Sequence, residues 1–185
     1  MAKKIKILGI AGSLRKQSYN RGLLKAALEL APSACSLEVF ELDEIPLYNQ
    51  DKEGKLPTAV ALLKKKVRAA DAILIATPEY NYSIPGVLKN ALDWGSRPYG
   101  DNAWDGKPVA IMGASPAVQG TSRSQYHLRQ VFVYLNMIPM NKPELMIGSA
   151  SERFDAKGRL IDAKSRQKLT ELLKALVEHA RCHSS

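Results

Sequence analysis

Apolar positions along this chain switch repeatedly between two periods. Lys4 to Ala11 is a nearly continuous apolar run through Ile5, Ile7, Leu8 and Ile10, which predicts a strand buried on both faces. Arg21 to Ala31 changes to helical spacing, with Leu23, Leu24, Ala27, Leu28 and Ala31 on one side, and Pro32 ends it. Ser36 to Leu42 alternates through Leu37, Val39 and Phe40 and predicts a second strand; Asp43 to Pro57 is a polar connection. A second helix is expected over Thr58 to Ala70, with Thr58 as its N-cap, and a third, wholly apolar strand over Ala72 to Ala76. Pro85 opens a third helix, about Gly86 to Trp94, for which Ser83 is a candidate cap. Pro108 to Gly113 predicts a fourth strand and Arg123 to Leu135 a fourth helix. Met137 to Met140 and Glu144 to Ile147 read as a short, interrupted fifth strand, and Ser149 to Arg159 as a polar loop. Asp162 to Arg181 is a last amphipathic helix, with Leu169, Leu172, Leu173, Leu176 and Val177 on one face.

Strands that alternate with helices at this spacing predict an α/β protein: a parallel sheet covered on both faces, joined by right-handed crossovers. Five strands suggest a three-layer sandwich in the flavodoxin-like order 2-1-3-4-5. Ligands of such sheets bind beyond the carboxyl ends of strands 1 and 3, where the order switches. No repeat, low-complexity linker or composition shift divides the chain, so residues 1–185 are expected to form a single domain.

Composition narrows the function classes. The net charge is +9, but apart from Lys64 to Lys66 the basic residues are dispersed and show no interleaving with aromatics. A nucleic-acid-binding module is therefore the weaker explanation, and attraction of small anions serves as well. No apolar run approaches the roughly 20 residues of a membrane helix. The run behind the basic start Met1-Ala2-Lys3-Lys4 is too short for a signal peptide and is interrupted by Gly9 and Gly12. Two distant cysteines, Cys35 and Cys182, suit a reducing compartment, and a cytoplasmic location is expected. The tail places His179, Cys182 and His183 at metal-ligand spacing, against the plainer reading of a solvated terminus; no metal is assigned.

The candidate chemistry lies in three loops that follow strands. Gly12 to Asn20 offers short donors at Ser13, Ser18 and Asn20 and a permanently charged fork at Arg15, just before a helix N-terminus. It has neither G-x-G-x-x-G nor G-x-x-x-x-G-K-[ST], which disfavours a dinucleotide pyrophosphate or a nucleoside triphosphate and leaves a single phosphate monoester. The loop after strand 3, Pro78-Glu79-Tyr80-Asn81-Tyr82, is bracketed by Pro78 and Pro85 and can receive a flat, hydrogen-bonding ring. A β-turn with exposed tyrosines is the plainer alternative. The loop after strand 4, Gly113 to Gly120, brings Ser115 and small neighbours to the same end, or simply caps a helix. No nucleophile is paired with a base, no carboxylate pair stands out, and His127 reads as an ordinary helix residue. No catalytic side chain is assigned, because such a site implies that a bound ring does the chemistry.

The two stretches G-S-L-R-K-Q-S-Y-N at Gly12 to Asn20 and P-E-Y-N-Y-S-I-P-G-V-L-K-N-A-L-D-W at Pro78 to Trp94 resemble the NADPH-dependent FMN reductase family, in particular its chromate and quinone reductase branch. The resemblance implies a flavodoxin-like fold that binds FMN and uses NADPH or NADH as co-substrate, with hydride passing at flavin N5. It implies that Ser13, Arg15, Ser18 and Asn20 hold the FMN phosphate. Pro78, Glu79, Tyr80 and Asn81 would line the isoalloxazine, partly through backbone groups, and Ser115 would face it. It further implies reduction of quinones, chromate, azo dyes or flavins, and a homodimer or homotetramer with the flavin near a subunit interface; one slot used in turn by co-substrate and acceptor predicts ping-pong kinetics. The rival of an electron carrier without its own NAD(P)H activity is disfavoured by the basic charge and by Arg15. Tyr99 and Trp104 are expected either to roof a flavin site or to anchor their loop. Arg123 and Tyr126 are expected either to meet Glu144 across an oligomer interface or to lie on a solvated helix face.

Overall fold

The computed structural model describes residues 3–183; Met1 and Ala2 of the basic start lie outside the described residues. Six parallel strands form one sheet in the order β2-β1-β3-β4-β5, with β6 also paired to β4. The strands are β1 (Ile5–Ala11), β2 (Cys35–Phe40), β3 (Ala72–Ala76), β4 (Pro108–Ala114), β5 (Ile138–Pro139) and β6 (Leu145–Ile147). The helices are α1 (Tyr19–Leu30), α2 (Thr58–Ala69), α3 (Gly86–Gly95), α4 (Ser122–Leu135), α5 (Ala150–Arg153) and α6 (Ala163–His183).

The sheet order is the one that strand–helix alternation predicts. Both pieces of the interrupted fifth strand lie along β4: Pro108 and Val109 pair with β5, and Met112 to Ala114 pair with β6. Four-residue α5 lies inside the expected polar loop, because one turn is too short to leave a periodic signature.

The two-residue side-chain period splits the central strands between two cores. Ile5 and Ile7 of β1, Leu74 of β3 and Met112 of β4 pack with α1 and α6. Leu8 and Ile10, Ile73 and Ile75, and Val109 and Ile111 pack with α2, α3 and α4. All five residues of β3 are buried, as its unbroken apolar run requires.

Two caps differ from expectation. Pro57, not Thr58, occupies the α2 cap position, and it supplies no side-chain bond. Pro85 occupies the α3 cap, while the Ser83 hydroxyl meets His127 Nδ1 at 3.0 Å. Thr121 occupies the α4 cap position without bonding the helix backbone amides; its Oγ1 instead accepts from Gln125 Nε2 at 3.0 Å. What satisfies the α4 amides comes from the loop after β3.

Candidate cofactor site

The sheet brings the loops after β1, β3 and β4 together around a cavity of 340 Å³, within the range of about 300–1,000 Å³ usual for small-molecule sites. Arg15, Ser18, Tyr19 and Asn20 line it from the first loop, Pro78, Glu79 and Tyr80 from the second, and Ala114, Ser115 and Pro116 from the third. The three segments singled out in the sequence thus share one concavity at the topological switch point.

The first loop is a set of donors already oriented by the backbone. Ser18 is the α1 N-cap, and its Oγ accepts from Asn20 N at 3.2 Å. Ser13 Oγ accepts from Arg15 N at 3.3 Å. Each hydroxyl therefore accepts within the loop, and its proton has no acceptor among the described residues. The Arg15 guanidinium sits 5.6 Å from the Tyr19 ring centroid and has no hydrogen-bond partner among the described residues. Arg21 braces the loop from behind: its Nε donates to Ser13 O at 3.0 Å, and its guanidinium pairs with Asp43 at 2.6 Å and Glu41 at 3.0 Å.

Gly12 lets the two loops pack closely: a Cβ there would lie 3.2 Å from Leu88 Cδ2 and 3.3 Å from Pro78 Cδ, so these neighbours would have to give way slightly. Asn20 lines the cavity, but its amide is committed within the chain. Asn20 Nδ2 donates to Ala114 O and Ala114 N donates to Asn20 Oδ1, both at 3.0 Å. This closed pair fastens α1 to the end of β4 and sets the distance between the first and third loops. Ser13 is buried behind the rim and is not among the lining residues.

The second loop is rigid for reasons beyond its prolines. Tyr80 and Ser83 exchange two backbone bonds, 3.1 and 2.9 Å, across a two-residue turn. Its central residues, Asn81 and Tyr82, have φ of 50° and 65°, the double left-handed geometry of a type I′ hairpin. Asn81 therefore sits at the hairpin tip and outside the cavity lining. Glu79 sends its carboxylate away from the solvent to the α4 N-terminus, where Oε2 accepts from Arg123 N at 3.0 Å and Ser124 N at 3.2 Å. This carboxylate supplies the cap that Thr121 does not, and the positive end of α4 favours its charge. The Arg123 guanidinium adds a 3.5 Å contact to Glu79 and stacks 3.9 Å over the Tyr82 ring. Tyr80 and Tyr82 remain exposed.

In the third loop Ser115 is held by its backbone, donating from N to Ile147 O at 2.9 Å and accepting from Ala150 N at 3.1 Å, while its Oγ accepts from Ala117 N at 3.2 Å. At the end of β4, a Cβ on Gly113 would lie 1.9 Å from Thr121 Oγ1 and 2.5 Å from Thr77 O. Only glycine fits there.

Trp104 is fully buried, donates from Nε1 to Leu92 O at 3.0 Å, and packs where a Cβ on Gly95 would stand 2.2 Å from Nε1. It anchors its loop. Tyr99 is exposed and stacks against Arg97 at 3.9 Å, and neither aromatic lines the cavity. Tyr126 reaches Glu144 within the same chain at 3.4 Å, whereas Arg123 turns to Glu79. No group of three His, Cys, Asp or Glu side chains among the described residues could hold a metal ion. At the tail, His179 Nε2 meets Ile138 O at 2.9 Å and His183 Nδ1 meets His179 O at 2.8 Å.

Ala114 and Pro116 line the cavity as the expected small neighbours of Ser115, whereas sequence reasoning missed Tyr19 as a lining residue and Arg21, Thr77, Arg123 and Ser124 as supports. Most of these have no local signature. They contribute through contacts with segments remote in sequence.

A doubly wound sheet with a serine-capped helix start, a guanidinium unpaired among the described residues and a cavity at its switch point defines a flavodoxin-like protein suited to a mononucleotide. These donors fit a phosphate monoester carried on a flat ring. Comparison with known proteins agrees. The family model described as NADPH-dependent FMN reductase matches residues 5–152, and the chain belongs to that family, whose cofactor is FMN and whose co-substrate is NAD(P)H. It is 52% identical over 177 residues to an NAD(P)H-dependent FMN reductase of Pseudomonas aeruginosa, covering 95% of each chain. It is 45% identical over 165 residues to a 2-hydroxy-1,4-benzoquinone reductase of a Burkholderia species, covering 89% of this chain and 90% of the other. Among solved structures it is similar to the flavoenzyme NAD(P)H:(acceptor) oxidoreductase FerB of Paracoccus denitrificans, with a TM-score of 0.89 and 36% identity over 97% of this chain and 98% of that one.

Proposed function

We propose that this protein is an FMN-bound NAD(P)H oxidoreductase that reduces quinones, and oxidised metal anions such as chromate, with azo dyes and free flavins as further acceptors. The observation that carries this reading is the cavity in which Arg15, Ser18 and the Pro78–Tyr80 backbone converge. The quinone reductase of the Burkholderia relative supports the acceptor class.

Bound FMN would supply the reactive ring, taking hydride from NAD(P)H and returning electrons to an acceptor that uses the same slot in turn. The protein's own part is binding and orientation. Ser18 and Arg15 hold the phosphate from the cavity wall, Ser13 backs them through its bond to Arg15 N, and Asn20 fixes the wall through Ala114. Pro78, Glu79 and Tyr80 form a rigid ledge for the ring, Asn81 stiffens it from the hairpin tip, and Ser115 closes the site from the third loop. The side chain of Glu79 holds the ledge onto α4, which leaves ring contacts to the backbone.

A net charge of +9 supports steering of NADPH phosphates and anionic acceptors toward the site. Exposed Tyr80, Tyr82, Tyr126 and Tyr134 support a homodimer or homotetramer. Two free cysteines support a cytoplasmic setting, and the absence of any composition break supports a single FMN-binding domain over 1–185. No helix among the described residues is long and apolar enough to cross a membrane.

The test is anaerobic addition of NADPH to the purified yellow protein with no partner reductase present. Loss of the oxidised-flavin colour, and its return on adding a quinone or chromate, is expected. A colourless protein refutes FMN binding, and a yellow protein that NAD(P)H does not bleach is an electron carrier.

A further inference from the structure

We infer that Thr77 and Ser124 are positioning residues that polarise the Pro78–Glu79 peptide and turn its N–H into a strengthened donor for the flavin ring. This inference rests on the FMN reading of the cavity.

Both side chains are fully buried, at 0% exposure, in the wall beneath the ring ledge. Thr77 Oγ1 donates to Pro78 O at 2.8 Å and Ser124 Oγ donates to the same oxygen at 2.9 Å, with the two hydroxyl oxygens 3.1 Å apart. One carbonyl thus receives two hydroxyl donors from different elements, the end of β3 and the first turn of α4. The loop is also held by the hairpin bonds between Tyr80 and Ser83 and by the Glu79 cap on α4.

The other end of this peptide carries the consequence. The Glu79 N–H has no hydrogen-bond partner among the described residues, although Pro78 and Glu79 both line the cavity. The peptide is trans, so its N–H points opposite to the carbonyl and away from the two hydroxyls. Beside a cavity that both residues line, this N–H is free to meet a ligand acceptor. A carbonyl that accepts two bonds draws electron density through the amide, and hydrogen bonds in such a chain strengthen one another by roughly 10–30% each. Reduction adds electron density to the ring, so a stronger fixed donor facing it favours the reduced form over the oxidised one.

The experiment compares the FMN-loaded parent with Thr77→Val, Ser124→Ala and Thr77→Ser, measuring FMN dissociation constants and the midpoint potential of the bound flavin. Thr77→Val and Ser124→Ala are each expected to weaken the preference for reduced over oxidised FMN by about three- to tenfold. That lowers the two-electron potential by roughly 15–30 mV. Thr77→Ser keeps the hydroxyl and is expected to keep the parental potential. Lumiflavin, which has the ring but no phosphate, should lose affinity by the same factor as FMN. If Thr77→Val does not fold, Ser124→Ala, which loses a single oxygen, carries the same comparison. Parental potentials in FMN-loaded Ser124→Ala and Thr77→Val overturn the assignment, as does a lowered potential in Thr77→Ser. A parent that binds no FMN overturns the flavin reading itself, a result distinct from unchanged potentials in a parent that binds it.

Discussion

Replacing Arg15 by Ala separates ligand binding from folding, because the structure gives this side chain almost no internal work. Its guanidinium has no hydrogen-bond partner among the described residues, and its one ring contact, at 5.6 Å from Tyr19, is exposed. Exposed contacts of this kind contribute about 0.5–1 kcal/mol at most, so apoprotein stability should change by no more than that. The effect on a phosphate dianion is larger. A charge-assisted contact contributes about 1.5–3 kcal/mol, and exposure at the cavity rim discounts this to roughly 1–2 kcal/mol. FMN should then bind about 5- to 30-fold more weakly. The assay is quenching of flavin fluorescence by apoprotein, for parent and variant, with FMN and with riboflavin, which lacks the phosphate. Riboflavin should bind both proteins alike. Raising the ionic strength from about 0.1 to 1 M shortens the screening length from about 10 to 3 Å and should narrow the gap for FMN. Parental FMN affinity in Arg15→Ala, or an equal loss for riboflavin, would refute the phosphate assignment.

Other expectations concern the frame around the site. Gly113→Ala places a Cβ against Thr121 Oγ1 and the Thr77 carbonyl, and the backbone cannot yield; urea unfolding should show a loss of about 1–3 kcal/mol or more, and parental stability would contradict the packing. Lys64 is 2% exposed and spends its ammonium on Arg97 O, on Asp101 O at 2.8 Å and on Asp101 Oδ2 at 2.7 Å. Lys64→Met should cost about 1–3 kcal/mol, less than a fully buried pair, because Asp101 is half exposed and keeps Arg68, and should open the 97–101 loop to proteolysis. Asp162 is held below its ordinary value of 3.8, first by the Ser165 hydroxyl bond, then by the Ser165 N–H and Arg153. A depressed folded pKa stabilises the protein above the unfolded value and is lost as pH falls through the folded one. Thermal stability should therefore drop on acidification below about pH 4, and Asp162→Ala should flatten that drop; equal slopes would remove Asp162 from the cause.

Much of this protein was fixed by order and period alone. The unbroken apolar run of β3 and the alternation of strand with helix give the parallel sheet, and a parallel sheet with one reversal of strand order has one switch point. The serines beside the helix start were legible as local capping and turn groups because such bonds are made within two or three residues. The roles that depend on distant partners were not. Asn20 reads as a phosphate donor in sequence, yet its amide closes on Ala114, 94 positions away. Glu79 reads as a ring-facing polar group, yet its carboxylate caps a helix 44 positions on. Trp104, equally able to roof a ligand or fill a core, filled the core against Gly95. A side chain's chemistry is written in its identity, but which of its bonds remain for a ligand depends on what the fold has already spent, and only packing across the sheet decides that.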